Sequence, residues 1–306
     1  MSTTLNSGID PASFSAVTGP AQDLFRYVNG PWIDMYRLPD DRSRYGSFDK
    51  LAEDAENQIR EILEDDDCPA EKSHALYASF LDVDAINASG LAAIEDQLKA
   101  IDVAADKAEL TRSLGAMNPA GGPDLIGIAV YGDPGAPETN IIHIEQSGLG
   151  LPDEAYYRED HYAPIREAYV DMVAKQLKNA KLAADDEQAE AQAQRFLDVE
   201  TRIAANHWDN VATRDSVKTY NPTDYAELSG MLADYDLDTW IESWQSAYDQ
   251  TSAAQVQPLD FRGIFNHVVV HEPSFLTGLN AFWKAADLDD LKLWARVHVI
   301  IGSTLD

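Results

Sequence analysis

The sequence has little cysteine, little positive charge and no long apolar run, and each absence narrows the choice of function. Cys68 is the only cysteine among 306 residues, so no disulfide can form within the chain. This predicts a cytoplasmic location, although a cysteine-poor secreted bacterial protein would have the same composition. Lys and Arg number 23 against 53 Asp and Glu, a formal net charge of −30. Because such a surface repels nucleic-acid phosphates and anionic lipid headgroups, neither nucleic acid nor a membrane is an expected partner.

Segments that cross or target membranes are also missing from the sequence. No apolar run approaches the ~20 residues that a membrane-spanning helix needs. The first residues have neither the basic cluster nor the apolar core of a signal peptide.

The common catalytic motifs are absent as well. There is no phosphate-binding loop, no dinucleotide-binding glycine pattern and no Gly-x-Ser-x-Gly elbow. A zinc peptidase of the H-E-x-x-H type needs two histidines one helical turn apart. The only His-Glu pair, His271-Glu272, is followed by Pro273 and has Phe275 where the second histidine would stand. We therefore predict neither a metal ligand nor a catalytic residue in this chain.

The spacing of the other histidines does not predict a metal site either. His267 and His271 are four residues apart, but the three valines between them favour a strand. In a strand, residues four apart share a face yet stand too far apart for easy chelation. His298 lies on an apolar helical stripe, which favours a core histidine with a satisfied hydrogen bond.

Apolar residues at three- and four-residue spacing occur along most of the chain and predict amphipathic helices. The clearest stripes lie within residues 48–63, 76–81, 165–177, 189–207 and 291–301. Asp106 and Glu109 have the spacing of a capping box. Two β-branched-rich runs, 125–131 and 140–146, flank Gly132-Asp-Pro-Gly-Ala-Pro137 and predict a β-hairpin. The expected fold class is mainly α, a multi-helix lobe with one small β-hairpin.

Four motifs follow one another in a fixed order from Asp23 onward. They are Asp23-Leu-Phe-Arg-Tyr-Val-Asn-Gly-Pro-Trp32, Ser43-Arg-Tyr-Gly-Ser-Phe-Asp49, Gly148-Leu-Gly-Leu-Pro-Asp-Glu-Ala-Tyr-Tyr157, and Arg214-Asp215 with Lys218-Thr-Tyr-Asn-Pro222. In this order and at these separations the chain resembles the neprilysin and endothelin-converting-enzyme family of zinc endopeptidases. Ala21 and Asn29 stand where secreted animal members carry disulfide cysteines, which fits a bacterial, disulfide-free relative.

The resemblance implies a two-lobed zinc metalloendopeptidase that hydrolyses short peptides. Residues 1–45 are expected to pack against the catalytic lobe, and residues 46–306 to form an incomplete helical capping lobe. The H-E-x-x-H helix is expected beyond residue 306, in a missing carboxy-terminal catalytic domain. Zinc is thus expected in the complete enzyme, and this chain alone is expected to be inactive. The alternative is a stand-alone peptide-binding or scaffold protein derived from such a peptidase.

Arg44 is the one candidate substrate-binding residue. The resemblance implies that the arginine of this motif pairs with the free carboxylate of a bound peptide, and the planar guanidinium fork suits that role. The companion arginine of some members is Ala52 here, so carboxylate recognition should be weaker or different. The alternative is that Arg44 is a surface cation that neutralises an acidic chain.

The remaining motif residues are expected to serve the fold. Gly46 and Gly148 should adopt backbone conformations that a side chain would crowd. Asn280-Ala-Phe282 resembles the family's N-A-x-Y/F substrate clamp, but it stands too early in the chain and at helical spacing, so we interpret it as core. Packing or turn roles are expected for the motif aromatics Tyr27, Trp32, Phe48, Tyr156, Tyr157 and Tyr220.

Overall fold

The computed structural model describes residues 9, 11–65 and 67–303. The chain divides into two compact units, unit 1 (Met1–Ala88) and unit 2 (Ser89–Asp306). In the described part of the chain, no helix is both long and apolar enough to cross a membrane. The predicted mainly α class is confirmed. The expected boundary after residue 45 concerns packing against a further lobe, and it stays a prediction.

Unit 1 is helical in its described residues. After a 3-10 turn (Pro11–Ser13), its helices are α1 (Leu24–Met35), α2 (Ser47–Glu64), α3 (Glu71–Leu81) and α4 (Val83–Ser89), which ends at the first residue of unit 2. The Asp23 carboxylate caps α1 by accepting the N–H of Arg26 at 2.9 Å. Pro31 lies inside α1 and has no N–H for the carbonyl of Tyr27. The N–H of Ser15 takes that place and donates to the Tyr27 carbonyl at 2.7 Å.

The apolar stripes of unit 1 are exposed in this chain. On α2, Phe48 is 87% exposed and Ile59 is 56% exposed, and on α3, Leu76 is 72% exposed. The only buried apolar residue described in unit 1 is Cys68. The helices predicted from these stripes are confirmed, but the packing role predicted for Phe48 is wrong within this chain.

Unit 2 contains a small sheet of four strands. They are β1 (Ile126–Asp133), β2 (Ala136–Gln146), β3 (Asn221–Asp224) and β4 (His267–Val270), in the order β1-β2-β4-β3. β1 and β2 form the predicted hairpin, β4 runs parallel to β2, and β3 runs antiparallel to β4. The hairpin is confirmed, and the two four-residue strands extend it. Their partners lie far away in sequence, so local periodicity did not reveal β3 or the pairing of β4 with β2.

The helices of unit 2 share one hydrophobic core with this sheet. Those of the described residues are α5 (Glu95–Val103), α6 (Lys107–Met117), α7 (Ala155–Arg158), α8 (Ala163–Asn179), α9 (Asp186–Ala204), α10 (Tyr225–Met231), α11 (Leu237–Tyr248), α12 (Ser252–Val256), α13 (Phe261–Ile264), α14 (Pro273–Ala285) and α15 (Leu288–Ser303). One continuous core contains the fully buried Trp240, Trp283 and Trp294. Gly115 lets α6 approach α11, because an added Cβ would collide with the backbone carbonyl of Trp240. The predicted cap of α6 is present, because Asp106 accepts the N–H of Glu109 at 2.9 Å, but the Glu109 carboxylate accepts the N–H of Ala105, one residue before the cap, at 2.6 Å.

Candidate functional site

The loop that carries Arg44, between α1 and α2, is held by a stack of three aromatic rings. The ring of Tyr36 contacts those of Trp32 and Tyr45, each with centroids 4.6 Å apart, and the Trp32 and Tyr45 rings also lie 6.0 Å from each other. The planes are nearly parallel, at 21° and 26°. Trp32 ends the first motif and Tyr45 belongs to the second, so the stack joins the two motifs at the base of the loop. This confirms packing roles for Trp32 within the motif, although its side chain remains 42% exposed.

Glu53 on α2 fixes the same loop through polar contacts. Its carboxylate accepts a hydrogen bond from the Tyr45 hydroxyl at 2.5 Å and pairs with the Arg42 guanidinium at 3.0 Å. The hydrogen bond to Glu53 raises the pKa of Tyr45 above its ordinary value, with desolvation adding to the effect. The phenol therefore stays protonated and continues to donate to Glu53 at neutral pH.

Arg44 differs from Arg42 in that its guanidinium has no partner among the described residues. Its side chain is exposed, and no hydrogen bond or ion pair joins it to any described residue of the chain. Residues on both sides of Arg44 are held in place. Tyr45 contacts Tyr36 and Glu53, and Arg42 pairs with Glu53. Ala52, where a companion arginine was considered, is exposed on α2 and carries no charge. Arg44 is thus exposed and unpaired among the described residues, as is Arg37 at the start of the same loop, and an exposed guanidinium on a held loop suits binding of a carboxylate.

Two histidines of unit 2, His143 and His271, form a contact that the sequence did not predict. His143 Nδ1 and His271 Nε2 are 2.8 Å apart, and His271 Nδ1 lies 3.7 Å from a carboxylate oxygen of Glu145. The parallel pairing of β2 with β4 brings the two histidines together across 128 positions of sequence. Burial lowers the pKa of His271, and the nearby Glu145 charge opposes that shift. A histidine pair closed by its own hydrogen bond leaves no open nitrogen pair for a metal.

The residue next to this pair, Glu272, is a buried carboxyl. Its Oε2 accepts the backbone N–H of Gln146 at 3.0 Å, and the side chain is 4% exposed. Desolvation raises the pKa of Glu272 to about 7. His267, by contrast, stands exposed at the start of β4.

Zinc, which the resemblance implies, does not fit the described residues. Among them, no group of three or more His, Cys, Asp or Glu side chains has a geometry that could hold a metal ion. The His271-Glu272 pair is committed to contacts with His143 and Gln146. No catalytic step is therefore assigned to a metal on residues of this chain.

The third motif builds a buried polar network around Glu200 of α9. The Glu200 carboxylate accepts the Gly150 N–H at 2.8 Å and the Tyr157 hydroxyl at 2.9 Å, and it lies 2.8 Å from His298 Nε2. This confirms His298 as a satisfied core histidine. Burial and the Glu200 charge raise the pKa of Tyr157, so its hydroxyl remains a donor.

The two glycines singled out from the motifs behave differently. Gly148 has φ +93, and an added Cβ would lie 2.9 Å from a methyl group of Leu125. Its predicted conformational role is confirmed. Gly46 has an extended backbone, and an added Cβ would meet nothing closer than 3.7 Å. The predicted steric need for glycine at position 46 is therefore wrong within this chain.

The fourth motif also serves the fold. The Tyr220 hydroxyl donates to Asp133 at the hairpin turn at 2.9 Å, and the Asn221 amide donates to the Val270 carbonyl at 2.9 Å.

In the Asn280-Ala-Phe282 segment, Asn280 accepts the backbone N–H groups of Asp234 and Tyr235, at 2.7 and 3.2 Å.

The remaining aromatic residues, those of the motifs and Phe282, are either buried or in contact with another ring. Phe282 is 8% exposed, so the core interpretation is confirmed for Phe282, whereas Asn280 is half-buried and Ala281 is exposed. Tyr156 stacks on Tyr162 with centroids 4.0 Å apart, and Tyr27 packs on Phe14 at 5.1 Å.

Comparison with known proteins places these features in one family. A family model described as peptidase family M13 matches residues 20–305. Neprilysin of Homo sapiens is 25% identical, over 95% of this chain and 42% of its own length. Endothelin-converting enzyme 1 of Cavia porcellus is 23% identical, over 94% of this chain and 38% of its own length.

Solved structures give the same picture. Mycobacterium tuberculosis zinc metalloprotease Zmp1, in complex with an inhibitor, matches with a TM-score of 0.79 and 33% identity, over 96% of this chain and 43% of Zmp1. PepO from Lactobacillus rhamnosis shares the fold with a TM-score of 0.70 at 20% identity, over 93% of this chain and 43% of PepO. The chain thus spans about two fifths of the length of these relatives.

Proposed function

The chain belongs to peptidase family M13, and on this premise we propose that it is the amino-terminal, largely helical part of a neprilysin-like zinc metalloendopeptidase that hydrolyses short peptides. The proposal assigns peptide hydrolysis to a longer polypeptide, because the chain covers about two fifths of its relatives. Zinc and its ligands belong to the carboxy-terminal catalytic domain of that polypeptide. We further propose a cytoplasmic location, on the basis of the single cysteine.

Within that enzyme, residues 1–45 pack against the catalytic domain, and residues 46–306 form much of a capping lobe that gates access of peptides. The exposed apolar side chains of α1 support the first of these two roles. Phe25 is 63% exposed and Met35 is 81% exposed on α1, surfaces that a partner domain would remove from water.

The single observation that carries the substrate assignment is the free guanidinium of Arg44. Its neighbours Arg42 and Tyr45 are both held by Glu53, whereas Arg44 is exposed and unpaired among the described residues. A charged group left free on a fixed loop can bind a ligand without first breaking an ion pair. We propose that Arg44 binds the terminal carboxylate of the peptide substrate.

The experiment compares Arg44→Ala with the unsubstituted complete polypeptide on peptides that differ only in a free or amidated carboxyl terminus. A charge-assisted hydrogen bond is worth about 1.5–3 kcal/mol, so kcat/KM for the free acid should fall roughly ten- to a hundred-fold, while the amide changes little. Water in the cleft would move the effect toward the lower figure. Arg44→Lys should recover part of the loss, since an ammonium cannot reproduce the two-pronged contact.

Arg60→Ala is the matched control, because Arg60 is an exposed arginine of unit 1 on α2. It should affect the two peptides equally. Equal losses for acid and amide with Arg44→Ala would contradict the carboxylate contact and leave Arg44 a role in the fold only.

The other function kept open is a stand-alone peptide-binding or scaffold protein. The reading frame distinguishes it from the proposed function, which expects the frame to continue into an H-E-x-x-H segment. At the protein level, the 306-residue chain is dialysed against chelator-free buffer, assayed for zinc and tested with a quenched-fluorescence peptide. The proposed function expects no stoichiometric zinc and no turnover from this chain alone.

A further inference from the structure

Unit 2 contains an apolar cavity of about 550 Å³ beside the hairpin. One wall is a face of the sheet, and the other is formed by α11, α13 and the segment between them. No charged residue lines it among the described residues. Cavities of this volume with aromatic and aliphatic walls commonly bind apolar groups. The lining residues that matter here are Ile128, Val130, Ile142, Trp244, Phe261 and Phe265.

The cavity opens at the edge of the sheet. β1 stands first in the strand order, so half of its backbone N–H and C=O groups face away from β2. Val130 lies on β1, lines the cavity and is 65% exposed, which places the mouth of the cavity at the strand edge. The next residue, Tyr131, points to the opposite face of the sheet and is 57% exposed.

The edge of β1 lacks the usual protection against pairing. Exposed edge strands of native proteins commonly carry lysine, proline or inward-pointing charge. The stretch 126–132 has no proline and no charged residue, and the only register shift lies at its far end, between Gly132 and Asp133. An edge with unpaired backbone groups next to an apolar cavity is suited to an extended chain that uses both.

The charge of the segments around the cavity determines which sign of charge is favoured on the bound peptide. The segments that bound it, residues 126–146 and 237–265, contain six acidic residues, besides Glu145 on the opposite face of the sheet with His143 and His271, and one basic residue, Arg262. A cationic ligand would therefore be attracted, and an acidic one repelled. The six acidic residues are Asp133, Glu138, Asp238, Glu242, Asp249 and Asp260.

We propose that this cavity and the edge of β1 together form a binding site for an extended, cationic peptide, which adds a strand to β1 and seats one large apolar side chain in the cavity. The occupant is a peptide rather than a small apolar molecule, because only a peptide backbone can also use the strand edge. The site lies wholly in unit 2 and does not depend on the role proposed for Arg44.

The test is calorimetric titration of the 306-residue chain with acetyl-Lys-Thr-Phe-Thr-Lys-amide. Replacing Phe by Ala should weaken binding about ten- to a hundred-fold, because a phenyl group leaves an apolar cavity. Methylating the backbone nitrogens of the two threonines should weaken it roughly three- to ten-fold for each lost hydrogen bond. Replacing both lysines by Glu should weaken binding, and added salt should reduce that difference.

Two variants on neighbouring, exposed positions locate the site. The variants are titrated with the peptide in which both lysines are glutamine, so that an added carboxylate attracts no charge on the ligand. Val130→Glu adds a charge at the cavity mouth and should weaken binding of this peptide at least about ten-fold, since a carboxylate would face apolar walls. Tyr131→Glu adds the same charge to the same strand on the opposite face and should leave binding within about two-fold. Both side chains are exposed, so neither substitution opens a hole in the core, and circular dichroism verifies that each variant is folded.

Several outcomes would overturn the proposal. They are no binding of the parent peptide, equal binding of the Phe and Ala peptides, insensitivity to backbone methylation, and equal effects of the two variants. A dimer that sedimentation detects and Val130→Glu abolishes would assign the edge to a second copy instead. Arg44→Ala serves as a further control and should leave the titration unchanged, so failure of this site and failure of the Arg44 contact are seen separately.

Discussion

Helices α2 and α9 have similar apolar stripes but different surroundings. On α9, Ala189, Phe196 and Ile203 are at most 1% exposed within the core of unit 2. On α2, Phe48 and Ile59 are 87% and 56% exposed. The amphipathic pattern reveals which face of a helix is apolar, but the partner that covers the face is a separate question.

This contrast holds for the two units as wholes. Unit 2 buries tryptophan, phenylalanine, leucine and valine in one continuous core. Most of the large apolar side chains exposed in the described chain belong to unit 1, from Leu24 on α1 to Val83 on α4. Exposed apolar surface of this extent marks a face meant for a partner. We therefore expect unit 2 to supply most of the measurable stability of this chain.

The largest effect should separate Phe196→Ala from Phe48→Ala, the same substitution in the two units. Phe196→Ala removes a fully buried ring and should lower the free energy of unfolding by about 3–5 kcal/mol. Phe48→Ala should stay within about 0.5 kcal/mol, because water already surrounds that ring. Urea unfolding followed by tryptophan fluorescence measures both, since five of the six tryptophans lie in unit 2. A comparable loss from Phe48→Ala would show that unit 1 buries this face after all.

A pH dependence should belong to unit 2 through Glu272. Burial raises the pKa of Glu272 to about 7 from its ordinary 4.5, so the folded state binds this proton more tightly than the unfolded state. The resulting stabilisation is complete below about pH 4.5 and is lost as the pH rises to about 7. The loss should be of the order of 2–3 kcal/mol between pH 4.5 and 8.

Glu272→Gln should remove that loss, because the amide keeps an acceptor for the Gln146 N–H and cannot ionise. The measurement is the difference in urea midpoint between the two proteins across pH, which cancels the opposite contribution of His271, whose lowered pKa favours folding as pH rises. Parallel pH profiles for the two proteins would contradict the assignment to Glu272.

Much of the fold could be predicted from local sequence because local interactions determine it. Asp106 and Glu109 lie within one turn, and the predicted cap of Asp106 on the Glu109 N–H is present. The β-branched runs around Gly132 gave the hairpin, since its strands are close in sequence. β3 and its place in the sheet were missed, because pairing of Asn221 with Val270 depends on residues that folding alone brings together.

The sequence identified Arg44 as the candidate site residue, which stays a prediction, but it did not reveal the contacts that hold the Arg44 loop. Arg44 stood out through its motif, and the structure adds that Tyr36 and Glu53 hold the loop, contacts that have no short-range signature. The His143–His271 contact joins strands 128 positions apart and was invisible for the same reason. Phe48 shows the opposite failure, since helical spacing predicted burial without identifying a covering surface.

Matched helix caps give a smaller test of the same comparison. Asp23 on α1 and Asp106 on α6 each accept a backbone N–H at 2.9 Å. Replacing such a cap by alanine costs typically about 1 kcal/mol. Asp106→Ala should therefore lower the stability measured by tryptophan fluorescence. Asp23→Ala should leave that transition unchanged and instead speed amide exchange in α1. A shared loss in the fluorescence transition would mean that the two units unfold together.

The smallest expected effect concerns the loop of unit 1 that carries Arg44. Tyr36→Leu removes the ring that contacts both Trp32 and Tyr45 at 4.6 Å, and ring pairs of this kind contribute about 0.5–1.5 kcal/mol beyond the area they bury. If the stack holds the loop, local opening becomes more frequent, and trypsin should cleave after Arg42 and Arg44 roughly two- to ten-fold faster under native conditions. Tyr27→Leu is the control, because that ring packs on Phe14 outside the stack. Equal cleavage rates for both variants and the parent would mean that Glu53 alone fixes the loop, and the free guanidinium of Arg44 would then owe nothing to the aromatic motif residues.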